Sequence, residues 1–280
     1  MAWQETIYQY DGTFDGFLCC VYESYVNREF PIAFCGDEEY FSLYEVRCVI
    51  TQREHARRVM RSLLTRSEPA VDVLRRAFLT CMEDREQHLY AFVRKLYAQG
   101  SDFMKNRSDP TYYPLARAIR HMNGELEKLR GFIRFSDYGG VLGAEIKPKN
   151  RVLPLLRSHF CNRYANESFF IYDRNHRELL LHTAGRSRIL PVDRLQLTLP
   201  GQEELCYREL WKRFYDTIAI QERTNPRCQN SFLPKRYRGV MTEFLPTDYE
   251  ARQATIPPGS TAVFPNSGAP DGIPAPGTPR

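Results

Sequence analysis

The chain has 280 residues, enough to bury a sizeable core as one large domain or two small ones. Hydrophobic residues make up 42% and charged residues 26%, an ordinary globular composition, and the formal charge of +5 tilts only slightly towards polyanionic partners. No apolar stretch approaches the roughly 18 residues of a membrane span. The opening "MAWQETIYQY" has neither a basic leader nor an apolar signal core, so no membrane partner is expected and the location reads as cytoplasmic. Eight scattered cysteines, mostly in apolar runs, read as reduced and buried.

In chain order, "ETIYQY" alternates like a short strand and "DGTFDG" supplies turn chemistry. Phe14, Leu18, Val21, Tyr22 and Tyr25 then recur at helical spacing, with Thr13 as N-cap and Asp15 in the first turn. "FPIAFC" and "YEVRCVI" read as strands. Thr51 with Glu54 forms a capping-box pattern that opens a helix to about residue 66. A longer helix is expected from Pro69 to Gly100, with Val71, Leu74, Phe78, Cys81, Leu89, Phe92 and Leu96 as its apolar stripe. Another follows over about 112–130.

The texture then changes. "GFIRFSDY" and "GVLGAEIKP" read as a hairpin around Gly139 and Gly140, and "LPLLRSHFCNRY" as a helix. "SFFIYDRNHRELLLHT" reads as a second hairpin turning at 173–176. The expected fold class is α+β: a helix-rich N-terminal part with short strands, a small antiparallel strand-strand-helix-strand-strand unit, then a helix over 203–220 and a basic irregular segment. Residues 1–250 form one globular unit, helix-rich over 1–130, strand-rich over 131–199, with the helix and basic segment over 200–250. The Pro- and Gly-rich tail, 251–280, offers too little apolar surface to offset its ordering entropy and is expected to be disordered.

Metal chemistry finds no support. Cys19 and Cys20 are adjacent, and no C-x-x-C pair exists, so neither a metal nor a cofactor is expected. Phosphate-loop and serine-elbow motifs are missing too. Asp11 and Asp15 are the available paired carboxylates, either a general acid/base site or simply turn and helix-start chemistry. His159 and Arg163 lie four apart on one helical face, where packing and capping compete with phosphate binding.

Basic clusters carry more. "RTNPRCQNSFLPKRYR", residues 223–238, has five basic residues and no acidic one. Arg223, Arg227, Lys235, Arg236 and Arg238 suit phosphates, and Tyr237 suits stacking. A solvated loop with carbonyl-capping arginines has the same composition. "REHARRVMR" is a second basic face, on the helix after Thr51.

Four blocks, "YDGTFDGFLCCVYESY", "RGFIRF", "LPLLRSHFCNRY" and "LWKRFYDTIAIQERTNPRCQNSFLPKRYR", occur in the order seen in a bacterial family of DNA metabolism or DNA repair proteins, which the chain resembles from about residue 7 to residue 244. Members of that family carry a His just before the "GFIRF" strand, where this chain has Glu127 and Lys128. The resemblance implies DNA as a partner and a companion radical-SAM DNA modification or repair protein. It also implies a uracil-DNA-glycosylase-type domain, fused in some members. It implies no catalytic residue. The function expected is therefore a DNA-binding accessory. The alternatives are a nucleic-acid-processing enzyme using Asp11, Asp15 or His159, and a scaffold for the radical-SAM partner without DNA contact.

Overall fold

The computed structural model describes residues 3–36, 43–195, 202–218 and 225–244. Its class is α+β, with two sheets among the described residues. The expected tail, 251–280, lies outside them, as does Arg223.

The first sheet begins where "YDGTFDG" turns strand into helix. After β1 (Gln4–Gln9), Asp11 closes a turn, its Oδ1 accepting from Thr13 N at 2.9 Å and from Thr13 Oγ1 at 2.7 Å. Thr13 in turn caps α1 (Phe14–Asn27) by accepting from Gly16 N at 2.9 Å. The other carboxylate oxygen of Asp11 accepts from Thr51 Oγ1 at 2.8 Å. The expected capping box is corrected: α2 (Arg53–Arg66) has Gln52 at its N-cap, with no side-chain cap bond, so Thr51 stands one residue before the cap and its hydroxyl proton goes to Asp11.

β1 lies between β2 (Glu29–Cys35) and β3 (Val46–Cys48), and both pairings are parallel. α1 makes the crossover from β1 to β2. Tyr8, Phe17, Leu18 and Val21 pack with Val59, Leu63, Leu74, Phe78 and Phe92 to form the first core. Cys19 and Cys20 belong to it. Cys35 and Cys161 are half-buried and Cys48, Cys81, Cys206 and Cys228 are exposed, so the reading of mostly buried cysteines is corrected.

The long helix expected from Pro69 to Gly100 is two helices, α3 (Glu68–Phe78) and α4 (Arg85–Gln99). Both halves face one core, so the apolar periodicity runs through the break unseen. The break is held by partners: Arg85 Nη1 donates to Phe78 O at 2.8 Å, and Cys81 N donates to Asn150 Oδ1 at 3.0 Å. Asp84 takes a left-handed conformation there, φ 48°.

α5 (Tyr112–Phe132) spans both halves of the molecule. Leu115 lies in the first core, and Met122, Leu126 and Leu129 lie in a second one with Ile146, Leu153, Leu156, Phe169 and Leu180. At about 1.5 Å per residue such a helix is roughly 30 Å long, enough to bridge two cores.

The second sheet has the order β4-β5-β6-β7-β8: β4 (Ser136–Asp137), β5 (Leu142–Ile146), β6 (Phe169–Asp173), β7 (Glu178–Thr183) and β8 (Arg186–Pro191). The expected all-antiparallel unit is corrected at its centre. β5 and β6 are parallel, because α6 (Leu153–Arg163) intervenes as a crossover. "GFIRF" is not a strand: α5 runs on to Phe132 and β4 has two residues. β8 was not foreseen; the tight turn at Ala184 and Gly185, both with positive φ, returns the chain to the sheet.

Beyond β8, α7 (Gln202–Ile218) matches the expected helix. The expected irregular basic segment is instead helical, as α8 (Pro226–Phe232) and α9 (Lys235–Arg238). Its prolines start helices rather than preventing them: Asn225 Oδ1 accepts from Cys228 N at 3.0 Å, with Pro226 in the first turn.

The Asp11 clasp leaves no room at Gly16, where an added Cβ would clash with Asp11 Oδ1 and lie 2.8 Å from Thr51 Oγ1. Gly16→Ala is expected to destabilise the chain by about 1–3 kcal/mol in denaturant unfolding. An unchanged midpoint would show that the clasp yields freely.

Candidate functional site

Where α5 packs into the second core, it buries a carboxylate. Glu125 is only 2% exposed, on the helical turn after His121. Its Oε2 accepts from Asn150 N at 2.8 Å and Asn150 Nδ2 at 2.7 Å, and its Oε1 accepts from Lys149 N at 3.1 Å. Arg236 Nη2, from α9, completes the set at 3.1 Å from Oε1. Burying an isolated carboxylate costs several kcal/mol, and these donors, one of them charged, offset it.

Asn150 is equally committed. Its Oδ1 accepts from Cys81 N, which fixes the amide so that Nδ2 points to Glu125 and, at 3.4 Å, to His121 Nδ1. Only an Nδ1 lone pair can accept from that NH₂, so neutral His121 carries its proton on Nε2.

Beside this network is an open cleft of about 580 Å³, lined by Cys81, Met82 and Glu83 of the α3–α4 turn and by Tyr113, Arg117 and His121 of α5. The three α5 residues are spaced four apart, so they form one exposed stripe. A Cys81–His121 nucleophile pair would need an imidazole that takes the thiol proton at its free nitrogen. Here that nitrogen is the donor, so the site suits an anion better than thiol activation.

Asn150, which lines the cleft, belongs to a basic loop that is joined to a second basic turn. Residues 147–151 read "KPKNR", and 173–177 read "DRNHR". They are tied together by Asn175 Nδ2 donating to Pro148 O at 2.8 Å and Arg174 N donating to Ile146 O at 3.0 Å. A buried carboxylate repeatedly backs a more exposed cation. Glu125 stands behind Arg236 (side chains 1% and 35% exposed), and Glu178 behind Arg151 (9% and 41%). Asp173, fully buried, accepts from the backbone N–H of Asn175 and of His176, and its Oδ2 lies 2.7 Å from His176 Nδ1.

The residues singled out in the sequence fall in separate places. Asp11 is held in its turn. Partial burial works against ionisation there, but the bonds from Thr13 and Thr51 outweigh it and keep the carboxyl below its ordinary value, which makes a weak base. Asp15 is exposed in the first turn of α1. His159 lies on α6, edge-on to Phe160, and its buried Nε2 has no partner among the described residues. No contact among the described residues joins His159 to Asp11, which is exposed and bonded to Thr13 and Thr51. Burial raises the thiol pKa values of Cys19 and Cys20, and among the described residues no three His, Cys, Asp or Glu side chains converge as a metal site.

In the basic segment, Arg227 and Lys235 are exposed. Arg236 reaches Glu125. Arg238 Nη2 donates to Asn230 Oδ1 at 3.0 Å. Tyr237 is 3% exposed, its ring against Phe132 and its hydroxyl accepting from Arg236, so the expected stacking residue is core. Sequence reasoning did not single out Glu125, Asn150, Tyr113, Arg117 or Lys149. "KPKNR", three basic residues in five, was the visible signal. Nothing in the sequence pairs Glu125 with residues 24, 25 and 111 positions away.

A family model described as a domain of unknown function, DUF4130, matches residues 83–243, more than half of the chain. The match takes in Glu125, Asn150, Arg117 and Arg236 and leaves out Asp11, Asp15 and the basic face of α2. No curated protein and no solved structure is a match.

Removing the Glu125 carboxylate strands Arg236 and the Asn150 amide. Glu125→Ala is expected to cost about 3–5 kcal/mol in thermal or denaturant unfolding, with Glu125→Gln between it and the parent. A loss under about 1 kcal/mol for Glu125→Ala would mean that the network closes around the gap.

Proposed function

The chain belongs to the DUF4130 family, and from that premise we propose that it is a DNA-binding accessory of DNA repair or modification. The observation that carries this reading is the docking of Arg236 on Glu125. It ties the C-terminal basic segment to the same carboxylate that holds the "KPKNR" loop and, through Asn150, His121, so that three separate stretches of sequence with basic residues converge on one network. Cations held from behind by buried carboxylates present their remaining N–H groups already oriented, as contacts to phosphate require.

The setting comes from the sequence resemblance. It implies work beside a radical-SAM enzyme whose own cofactor supplies the hard chemistry, with a uracil-DNA-glycosylase-type domain as a further partner. Binding is this chain's contribution. The bonds holding Asp11 and the tautomer of His121 both weigh against it as an independent hydrolase.

The test is DNA binding by fluorescence anisotropy across a salt series. Lys149→Glu with Lys235→Glu, both at exposed positions, is expected to weaken binding. It should also flatten the log–log salt slope by about one unit for each phosphate that is no longer neutralised. Equal affinity and an equal slope in the double variant would exclude this face.

A further inference from the structure

We infer that the cleft between the α3–α4 turn and α5 is a subsite for a single unstacked nucleotide, its base on Tyr113 and its phosphate on Arg117 and His121. The inference rests on the DNA-binding reading above and names what the cleft takes. Three observations carry it. Tyr113 is 50% exposed, and Met82 lines the same cleft, so a base can stack on an aromatic ring there. Arg117 and His121 follow at one-turn steps along α5, so cationic and N–H donors lie next to that ring. The Asn150 bond leaves the proton of neutral His121 on Nε2, the nitrogen free for a ligand, and Glu125 locks Asn150 in that orientation.

Size agrees. About 580 Å³ is within the roughly 300–1,000 Å³ of small-ligand clefts. A base offers its face to the Tyr113 ring only after leaving its own stack, so single-stranded or extrahelical nucleotides are the substrate class. Glu83, in the α3–α4 turn, is the one carboxylate among the lining residues, and it repels a phosphate from that side towards Arg117 and His121.

The test uses the full chain with three labelled probes: a single-stranded oligonucleotide, the matched duplex, and an abasic strand of the same length. The parent protein is expected to prefer the base-bearing single strand. Tyr113→Ala is expected to lower that affinity by about 5- to 100-fold and leave the abasic strand unaffected, while Tyr113→Phe stays at the parent level. Arg117→Ala should weaken binding to the single strand and the abasic strand alike. Both sites are exposed, and matching circular dichroism spectra would exclude unfolding as the cause. If Tyr113→Ala leaves single-strand affinity unchanged while Lys149→Glu lowers it, the subsite is overturned and the DNA-binding face stands. If no probe binds the parent protein, both are overturned.

Discussion

The buried carboxylate of Glu125 is the constraint around which the rest of the molecule is arranged. α5 carries it into the second core, between Met122 and Leu126, where it is almost fully buried. The donors that compensate its charge come from the loop before α6 and from α9, far apart in sequence. Satisfying one charge therefore positions the "KPKNR" loop, fixes the Asn150 amide, whose oxygen receives Cys81 N in the α3–α4 break, and docks the C-terminal basic segment. The orientation of His121 follows from the same carboxylate through Asn150.

Where local chemistry decides the structure, the sequence showed it. Asp11, Thr13 and Gly16 fix the entry of α1 within six residues of chain, and the hairpin at Gly139 and Gly140 closes through positive-φ glycines. Where a distant partner decides, it did not. Thr51 has the pattern of a capping residue, but the helix starts one residue later, at the Gln52 cap, and the Thr51 hydroxyl donates to Asp11, 40 positions earlier. The stripe from Val71 to Leu96 keeps helical period across a real break, because both helices face one core and the break is enforced from Asn150. Tyr237 sits among arginines and asparagines in sequence yet packs on Phe132. The basic composition of the C-terminal segment was visible, but its docking site was not, since an ion pair between α5 and α9 leaves no periodic trace.

The face built this way mixes cations with the carboxylates that hold them, so its net charge is small for its number of arginines. On the proposed DNA-binding reading, such a surface would attract DNA weakly at long range and bind it through oriented hydrogen bonds at contact. That suits an accessory that recognises an unstacked nucleotide better than one that condenses DNA. It also separates this face from α2, whose arginines lie outward on a helix packed through Ala56, Val59 and Leu63, with Arg57 paired to Glu54.

The central claim is that nucleic acid meets the face backed by Glu125. Hydrogen–deuterium exchange of the full chain, with and without single-stranded DNA, tests it most directly. The account predicts protection concentrated in residues 113–121, 147–151 and 235–238. Protection confined to α2, or none at a DNA concentration that saturates binding, would contradict it.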